Sequence, residues 1–363
     1  MNKILFQIIN KTKKKIKMII NLILLNVLII FLSTNNLNAN VYTVKNIQIK
    51  EPYDLNFKKK KVIEKAFISA FEILVSKKVS SKDLNISKTT NINLIKPMID
   101  SFLISNEKFK DNYYSAEFEV FFNKKKILNY LNSLNIVSSI PKDKQVLFIP
   151  IFVNLLTDEI YIYDENLFYL NWEKVKSKNF LLNYIIPDED LDDFNIIKKN
   201  ITDIENYDFK EIIPKYNQED YVVAIFFQNS NKLKILSKIF LKNNLNIISS
   251  FEENVDFNDD ESIKKIIYNL KVNYENLWKK ENEINISIKS PINISIETKN
   301  LKLINMFEEK LQSSQLVYDY RIEQFDNKNT IYNIIYNSTP DKFLNDFSND
   351  FNINISENIW EVK

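Results

Sequence analysis

Apolar residues along this chain recur in patterns that predict specific elements. Two nearly continuous apolar runs, Val146 to Val153 and Tyr221 to Phe227, are typical of strands buried on both faces. The pattern between them, including Leu181 to Tyr184 and Phe194 to Lys199, is interpreted as helical and predicts a βαβ unit with its crossover on one face of the sheet. The same module is completed by two strands and a helix, near Leu233 to Phe240, Leu245 to Phe251 and Glu261 to Lys280.

The segment before these runs predicts a separate βαββα module over residues 41–140. Val41 to Lys50 alternates as a strand, and Lys60 to Lys77 has the apolar spacing of a helix that packs on a sheet. Ala116 to Phe122 alternates with acidic residues and predicts a strand with one buried face, preceded by a turn at Lys110 to Asn112. Asn123 is predicted to cap the last helix of this module.

The last stretch, residues 284–363, predicts the element order β-α-β-β-α-β of a ferredoxin-like module. Its strands and helices are expected at Ile292 to Ile296, Leu301 to Leu311, Leu316 to Phe325, Thr330 to Tyr336, Pro340 to Phe347 and Ile353 to Val362. With the middle module at residues 145–281, the chain is expected to be an α+β protein of three small α/β modules in series.

The first 39 residues have the pattern of a signal peptide. Six lysines precede an uncharged apolar run from Met18 to Leu32, and small polar residues lead to Ala39. The run has about 15 residues, fewer than the roughly 20 that a spanning helix needs. Cleavage after Ala39 is therefore the first expectation, and the protein is predicted to be periplasmic. An uncleaved segment that anchors it to the inner membrane is the alternative.

Composition excludes many kinds of chemistry, because the 363 residues contain no Gly, His or Cys. Ser-His-Asp and Cys-His nucleophile pairs are ruled out, as are His- and Cys-ligated metal sites. The glycine-rich loops that bind nucleotide phosphates are also ruled out. Turns with positive φ are expected to use Asn or Asp instead of Gly. No pattern in the sequence predicts a cofactor.

The charge balance gives no indication of nucleic-acid binding. The whole chain has 49 Lys and Arg against 47 Asp and Glu. The six lysines of the N-terminal segment account for this excess, so the remainder carries 43 basic and 47 acidic residues. Lysines scattered over a mildly acidic body form no basic stripe, and a nucleic-acid partner is not expected.

An acidic run precedes the predicted helix at Phe194. Asp188, Asp190 and Asp193 belong to the densest group of carboxylates in the chain and could bind Ca²⁺ or Mg²⁺. Acidic residues are also typical of the first turn of a helix, which carries partial positive charge. A helix start is the preferred interpretation, with a divalent-ion site as the alternative.

Aromatic residues are dense just after the first buried strand of the middle module, and they could form a binding surface, because aromatic side chains often anchor protein interfaces. Packing in the core is the alternative and preferred interpretation. The residues concerned are Tyr161, Tyr163, Phe168, Tyr169 and Trp172.

Several short motifs resemble a family of exported alphaproteobacterial proteins that is classed as a domain of unknown function. They comprise Trp172, Tyr184-Ile185-Ile186-Pro187 with Asp190 and Asp193, Tyr216, Leu277-Trp278-Lys279 and Trp360. The chain departs from the family at Glu189 and Asn337, where its members usually carry Gly. The middle module is also similar to small periplasmic α/β modules of translocation and cell-wall-synthase activator proteins. The resemblance implies a fold and supplies no catalytic residues.

These observations predict a non-enzymatic protein that binds or scaffolds other proteins of the cell envelope. Membrane contact is expected only through the N-terminal segment, if that segment is not cleaved. The alternative is a carboxylate-dependent hydrolase of envelope glycans, because a pair of acidic residues can hydrolyse a glycosidic bond without His, Cys or Gly.

Overall fold

The computed structural model describes residues 42–284, 288–356 and 358–363. The predicted signal segment, residues 1–39, lies outside the described residues. Helices and strands alternate along the described chain and form three separate sheets in sequence order. The α+β class and the series of small α/β modules are therefore confirmed. The module boundaries expected at residues 140, 145, 281 and 284 stay predictions.

The N-terminal module is a three-stranded antiparallel sheet in the order β1-β3-β2. Helix α1 packs on one face of this sheet, where Ala66 and Ala70 are fully buried and allow a close approach. The strands are β1 (Thr43–Pro52), β2 (Ile99–Lys110) and β3 (Tyr113–Phe122). The helices are α1 (Lys59–Lys78), α2 (Asn85–Thr89), α3 (Ile92–Ile95) and α4 (Lys124–Ser133). Asn123 caps α4 as predicted, since its side chain accepts a hydrogen bond from the Lys126 amide.

The middle module has a six-stranded sheet with helices on both faces. Its strands are β4 (Lys144–Asn154), β5 (Glu159–Tyr161), β6 (Leu182–Ile185), β7 (Tyr221–Asn229), β8 (Lys232–Leu241) and β9 (Asn244–Glu252). Its helices are α5 (Leu167–Trp172), α6 (Leu191–Lys199) and α7 (Asp260–Glu281). The two apolar runs form the central strands β4 and β7, which are parallel and buried as predicted.

The connection between β4 and β7 differs from the prediction. Leu182–Ile185 is the strand β6, paired in parallel with β4, and not a helix. Helix α5 packs with α7 on one face of the sheet, while α6 packs on the other face. The crossover therefore does not lie on one face. A short apolar run is compatible with either element, and here the free edge of β4 makes it a strand.

Strands β5 and β6 pair with the same edge of β4 and leave a gap between them, filled by the side chain of Asn166. Pro150 of β4 lies in this gap, where an N–H group would have no strand partner. The buried Asn166 amide donates to the carbonyls of Pro150 and Tyr161, 3.1 Å away in each case. The same side chain caps α5 by accepting from the Phe168 and Tyr169 amides. One side chain thus supplies hydrogen bonds to backbone carbonyl and amide groups where the sheet is interrupted.

The C-terminal module begins with the predicted β-α-β-β-α order. It comprises β10 (Ser290–Glu297), α8 (Leu301–Ser313), β11 (Val317–Phe325), β12 (Asn329–Tyr336) and α9 (Pro340–Phe347). The last predicted strand is divided into β13 (Ile353–Asn354) and β14 (Trp360–Val362), and the sheet order is β11-β12-β10-β14-β13. Strand β14 pairs in parallel with β10, and β13 is antiparallel to β14 at the edge. The final strand of the ferredoxin-like order is thus a short hairpin.

Tight turns are formed without glycine, as expected. Among the described residues, nine of the twelve with positive φ are Asn or Asp. The predicted turn between β2 and β3 is one example, with φ of 52° at Asp111 and 59° at Asn112. Phe209, Ser230 and Lys242 are the others. Within the described ranges, no helix has the length and apolar content needed to cross a membrane.

Candidate functional site

The predicted aromatic patch is divided between the core and its margin. Phe168 and Trp172 are fully buried, where Trp172 stacks on Phe148 with ring centres 3.6 Å apart and Phe168 stacks on Phe226 at 3.7 Å. The three tyrosines of the patch are half-buried. The structure therefore places these five residues in the interior and at its edge, and they do not form one continuous exposed surface.

The tyrosine hydroxyls of this group hold neighbouring segments in place. Tyr163 donates to the Asp190 carbonyl at 3.3 Å and Tyr169 donates to the Pro187 carbonyl at 3.1 Å, so both fix the loop after β6. Burial raises the pKa of Tyr163 to about 12. Tyr161 instead donates to the Glu159 carboxylate at 2.6 Å, and this hydrogen bond raises the pKa of the Tyr161 hydroxyl.

The acidic run coincides with the start of a helix. Asp190 caps α6, accepting from the amides of Asp192 at 2.8 Å and Asp193 at 3.0 Å. These hydrogen bonds, chiefly the one from the Asp193 amide, lower the pKa of the Asp190 carboxyl. Asp188 is exposed and lies outside this cap. Among the residues that the structure describes, no three acidic side chains converge as ligands for a metal ion.

Asp193 is buried and has two partners that sequence analysis did not connect with it. One of its oxygens accepts from the Lys215 ammonium at 2.6 Å, and the other accepts from the Tyr216 hydroxyl at 2.5 Å. The hydrogen bond to Asp193 raises the pKa of Lys215. A small cavity of about 10 Å³ adjoins Asp193, with mostly apolar walls that include Ile149, Ile162 and Ile197. This carboxylate ties α6 to the segment before β7, and both of its oxygens are engaged.

A surface of a different kind lies at strand β9, which forms one edge of the six-stranded sheet. On its outward face Leu245, Ile247 and Phe251 are 56%, 61% and 56% exposed. The layer of α6 and the following turns covers the sheet only as far as β8, because its core includes Leu236 of β8 and no residue of β9. The apolar pattern from Leu245 to Phe251 predicts this strand, but no local pattern indicates that the strand is an edge.

The edge at β9 is less protected than the other sheet edges. Edge strands are usually guarded by charges, proline, bulges or shortness. Strands β1, β2 and β11 contain charged residues and register irregularities, and β5, β6 and β13 have only three, four and two residues. Strand β9 has nine residues, pairs with β8 in continuous register and carries no charge before Glu252. Its outer backbone edge is therefore open to pairing with another strand.

Comparisons with known proteins add no functional assignment. No family model matches the chain, and a search of curated proteins gave no match. A solved structure described as an uncharacterized protein is similar over 38% of this chain and 90% of its own length, with 6% sequence identity and a TM-score of 0.15. The geometry of the described residues is thus the basis for a functional proposal.

Proposed function

We propose that this protein is a non-catalytic binding or scaffolding component of the cell envelope that engages a partner protein by strand addition at β9. The observation that carries the proposal is the nine-residue edge strand β9, which has no charged residue before Glu252 and exposes Leu245, Ile247 and Phe251. In strand addition, backbone hydrogen bonds supply affinity, and side chains on alternate positions supply specificity. Leu245, Ile247 and Phe251 occupy such alternate positions.

The envelope location in this proposal is supported by the sequence of residues 1–39, with its lysines followed by an apolar run. The resemblance to exported alphaproteobacterial proteins supports it as well. We propose a periplasmic location, with attachment to the inner membrane as the alternative if the segment is retained.

Asp190 and Asp193 provide no specific support for the alternative of a glycan hydrolase. Such an enzyme needs two carboxyl groups that flank a cleft on either side of the bond to be broken. Asp193 has both oxygens engaged by Lys215 and Tyr216, and Asp190 accepts two backbone hydrogen bonds. The oxygens of both carboxylates are thus engaged by partners within the protein.

Photo-crosslinking tests the proposed edge. A photoreactive amino acid at position 247, introduced in intact cells that produce the protein naturally, is expected to capture one partner protein. The same amino acid at position 306 is the control, because Met306 is 44% exposed on α8 of the C-terminal module and is not part of β9. Leu245→Lys is expected to weaken the purified complex by about tenfold, since a charge would enter an apolar contact, whereas Met306→Lys should have no effect.

Equal capture at positions 247 and 306 would contradict strand addition at β9. An adduct of twice the mass of the chain would replace the proposed partner with a second copy. Turnover of purified peptidoglycan that is lost on changing an acidic pair would favour the hydrolase instead.

A further inference from the structure

Two loops lie side by side at one end of the N-terminal sheet, and we call them the aromatic tip. They are residues 53–58, after β1, and residues 108–113, at the β2–β3 turn. The Tyr53 amide donates to the Asn112 carbonyl at 2.7 Å, and the rings of Tyr53 and Phe109 are 4.9 Å apart. Strand pairing sets this arrangement, since Pro52 is opposite Tyr113 in the β1–β3 register.

The aromatic tip presents large apolar side chains to solvent. Leu55 is fully exposed, and Tyr53, Phe109 and Tyr113 are 51%, 61% and 42% exposed. These residues rest on less exposed rings, because Phe57 packs against Tyr53 and Tyr114 packs against Phe109. The tip is therefore an ordered apolar projection. Clusters of exposed apolar residues of this kind mark surfaces that contact another molecule.

Lysines surround the aromatic tip, and most of them form no ion pair with a carboxylate. The nearby carboxylates of Glu51 and Glu107 are already paired with Lys65 and Lys59. Asp54 and Asp111 are the other acidic residues of the two loops. Six lysines near the tip form no ion pair with another described residue, namely Lys50, Lys58, Lys60, Lys61, Lys108 and Lys110. The surroundings of the apolar side chains are thus basic.

We propose that the aromatic tip binds the surface of an anionic lipid membrane. Aromatic and leucine side chains can enter the boundary between headgroups and acyl chains, while lysines around them attract anionic headgroups. The projecting shape favours this occupant, because a loop tip can enter a soft interface without a matching groove. This contact is independent of residues 1–39 and of the proposed strand addition at β9.

The absence of cysteine from the sequence allows the contact to be measured at a single position. Leu55→Cys carries an environment-sensitive fluorophore, and the full chain is mixed with vesicles of equal parts phosphatidylglycerol and phosphatidylcholine. The emission is expected to shift to shorter wavelength and to increase at least about twofold as the label leaves water. Leu156→Cys is the matched control, since Leu156 is 67% exposed in a loop of the middle module, and its label should not respond.

A second measurement tests the role of the lysines. Lys60→Glu combined with Lys61→Glu is expected to raise the phosphatidylglycerol concentration needed for half the response at position 55 by about tenfold or more, because two attractive charges become repulsive. High salt should have a similar effect. Equal responses at positions 55 and 156, or an equal response with pure phosphatidylcholine, would overturn the proposal. A photoreactive group at position 55 that captures a protein in intact cells, without a lipid response in vitro, would do the same.

Discussion

Replacing Trp172 by Ala is expected to lower the free energy of unfolding by about 3–5 kcal/mol, the usual cost of deleting a buried aromatic side chain. Trp172 is fully buried, stacks on Phe148 and meets the Tyr184 ring edge-on with centres 5.2 Å apart. The vacated space lies between the sheet and α7, which packs in the same core. Urea unfolding followed by far-UV circular dichroism measures the change.

Two further variants control this prediction. Trp172→Phe is expected to lower the free energy of unfolding by less than Trp172→Ala does, because some of the ring contacts are kept. This substitution also removes a buried indole N–H that has no hydrogen-bond partner among the described residues. Trp360→Ala should also cost less, since Trp360 is half-buried in a short strand. A cost below about 1 kcal/mol for Trp172→Ala would show that the core around Phe148 is not packed as described.

Replacing Lys78 by Met is expected to stabilise the protein by about 1–3 kcal/mol at pH 7, the range for a buried polar group without a hydrogen bond. Lys78 is 1% exposed, and its ammonium nitrogen has no hydrogen-bond partner among the described residues. The nitrogen lies 3.9 Å from the centre of the Tyr42 ring. Burial, and to a smaller degree repulsion by Lys124, lower the pKa of Lys78 well below its ordinary 10.5.

The pH dependence of this effect has a defined sign. Between the lowered folded pKa of Lys78 and 10.5, the unfolded chain binds more protons than the folded one, so wild-type stability rises with pH. The contribution of one group to this slope is at most about 1.4 kcal/mol per pH unit. The difference in the free energy of unfolding between Lys78→Met and the wild type should therefore shrink as the pH approaches 10.5. Urea unfolding of both proteins from pH 7 to pH 10 measures the difference.

Lys124 provides a matched control with the opposite sign. Burial lowers its pKa to about 8, but its ammonium donates to the Ser314 carbonyl at 2.7 Å and to the Val317 carbonyl. Lys124→Met is expected to destabilise the protein by about 1–3 kcal/mol, because buried carbonyls lose their donor. If both substitutions lower the free energy of unfolding, the lack of hydrogen bonds at the Lys78 nitrogen does not explain the effect of Lys78→Met.

Much of the fold could be predicted because local patterns specify it. The runs at Val146 and Tyr221 became the parallel central strands, and alternation before Phe122 became a strand with one buried face. The cap at Asn123 and the helix start within the acidic run occurred where the side-chain chemistry indicated. Such features depend on neighbours a few residues apart, so the sequence contains most of the information that they need.

Other features depended on which edges remained free. Strand β6 formed because β4 had an unpaired edge, and Asn166 became important because β5 and β6 left a gap in the sheet. The last predicted strand divided into a hairpin, with β14 beside β10 and β13 outside it. None of these outcomes has a local signal, since each is a competition among distant segments for the same backbone groups.

The sequence by itself determined the α+β class, the series of small modules, the use of Asn and Asp in place of Gly, and the exclusion of His-, Cys- and Gly-dependent chemistry. Tertiary structure decided which apolar side chains remain in water. It buried Trp172, left Ile247 on an open edge and brought Tyr53 beside Phe109. Exposure depends on what packs against a residue after the chain has folded, and strand register can join positions that are far apart in sequence.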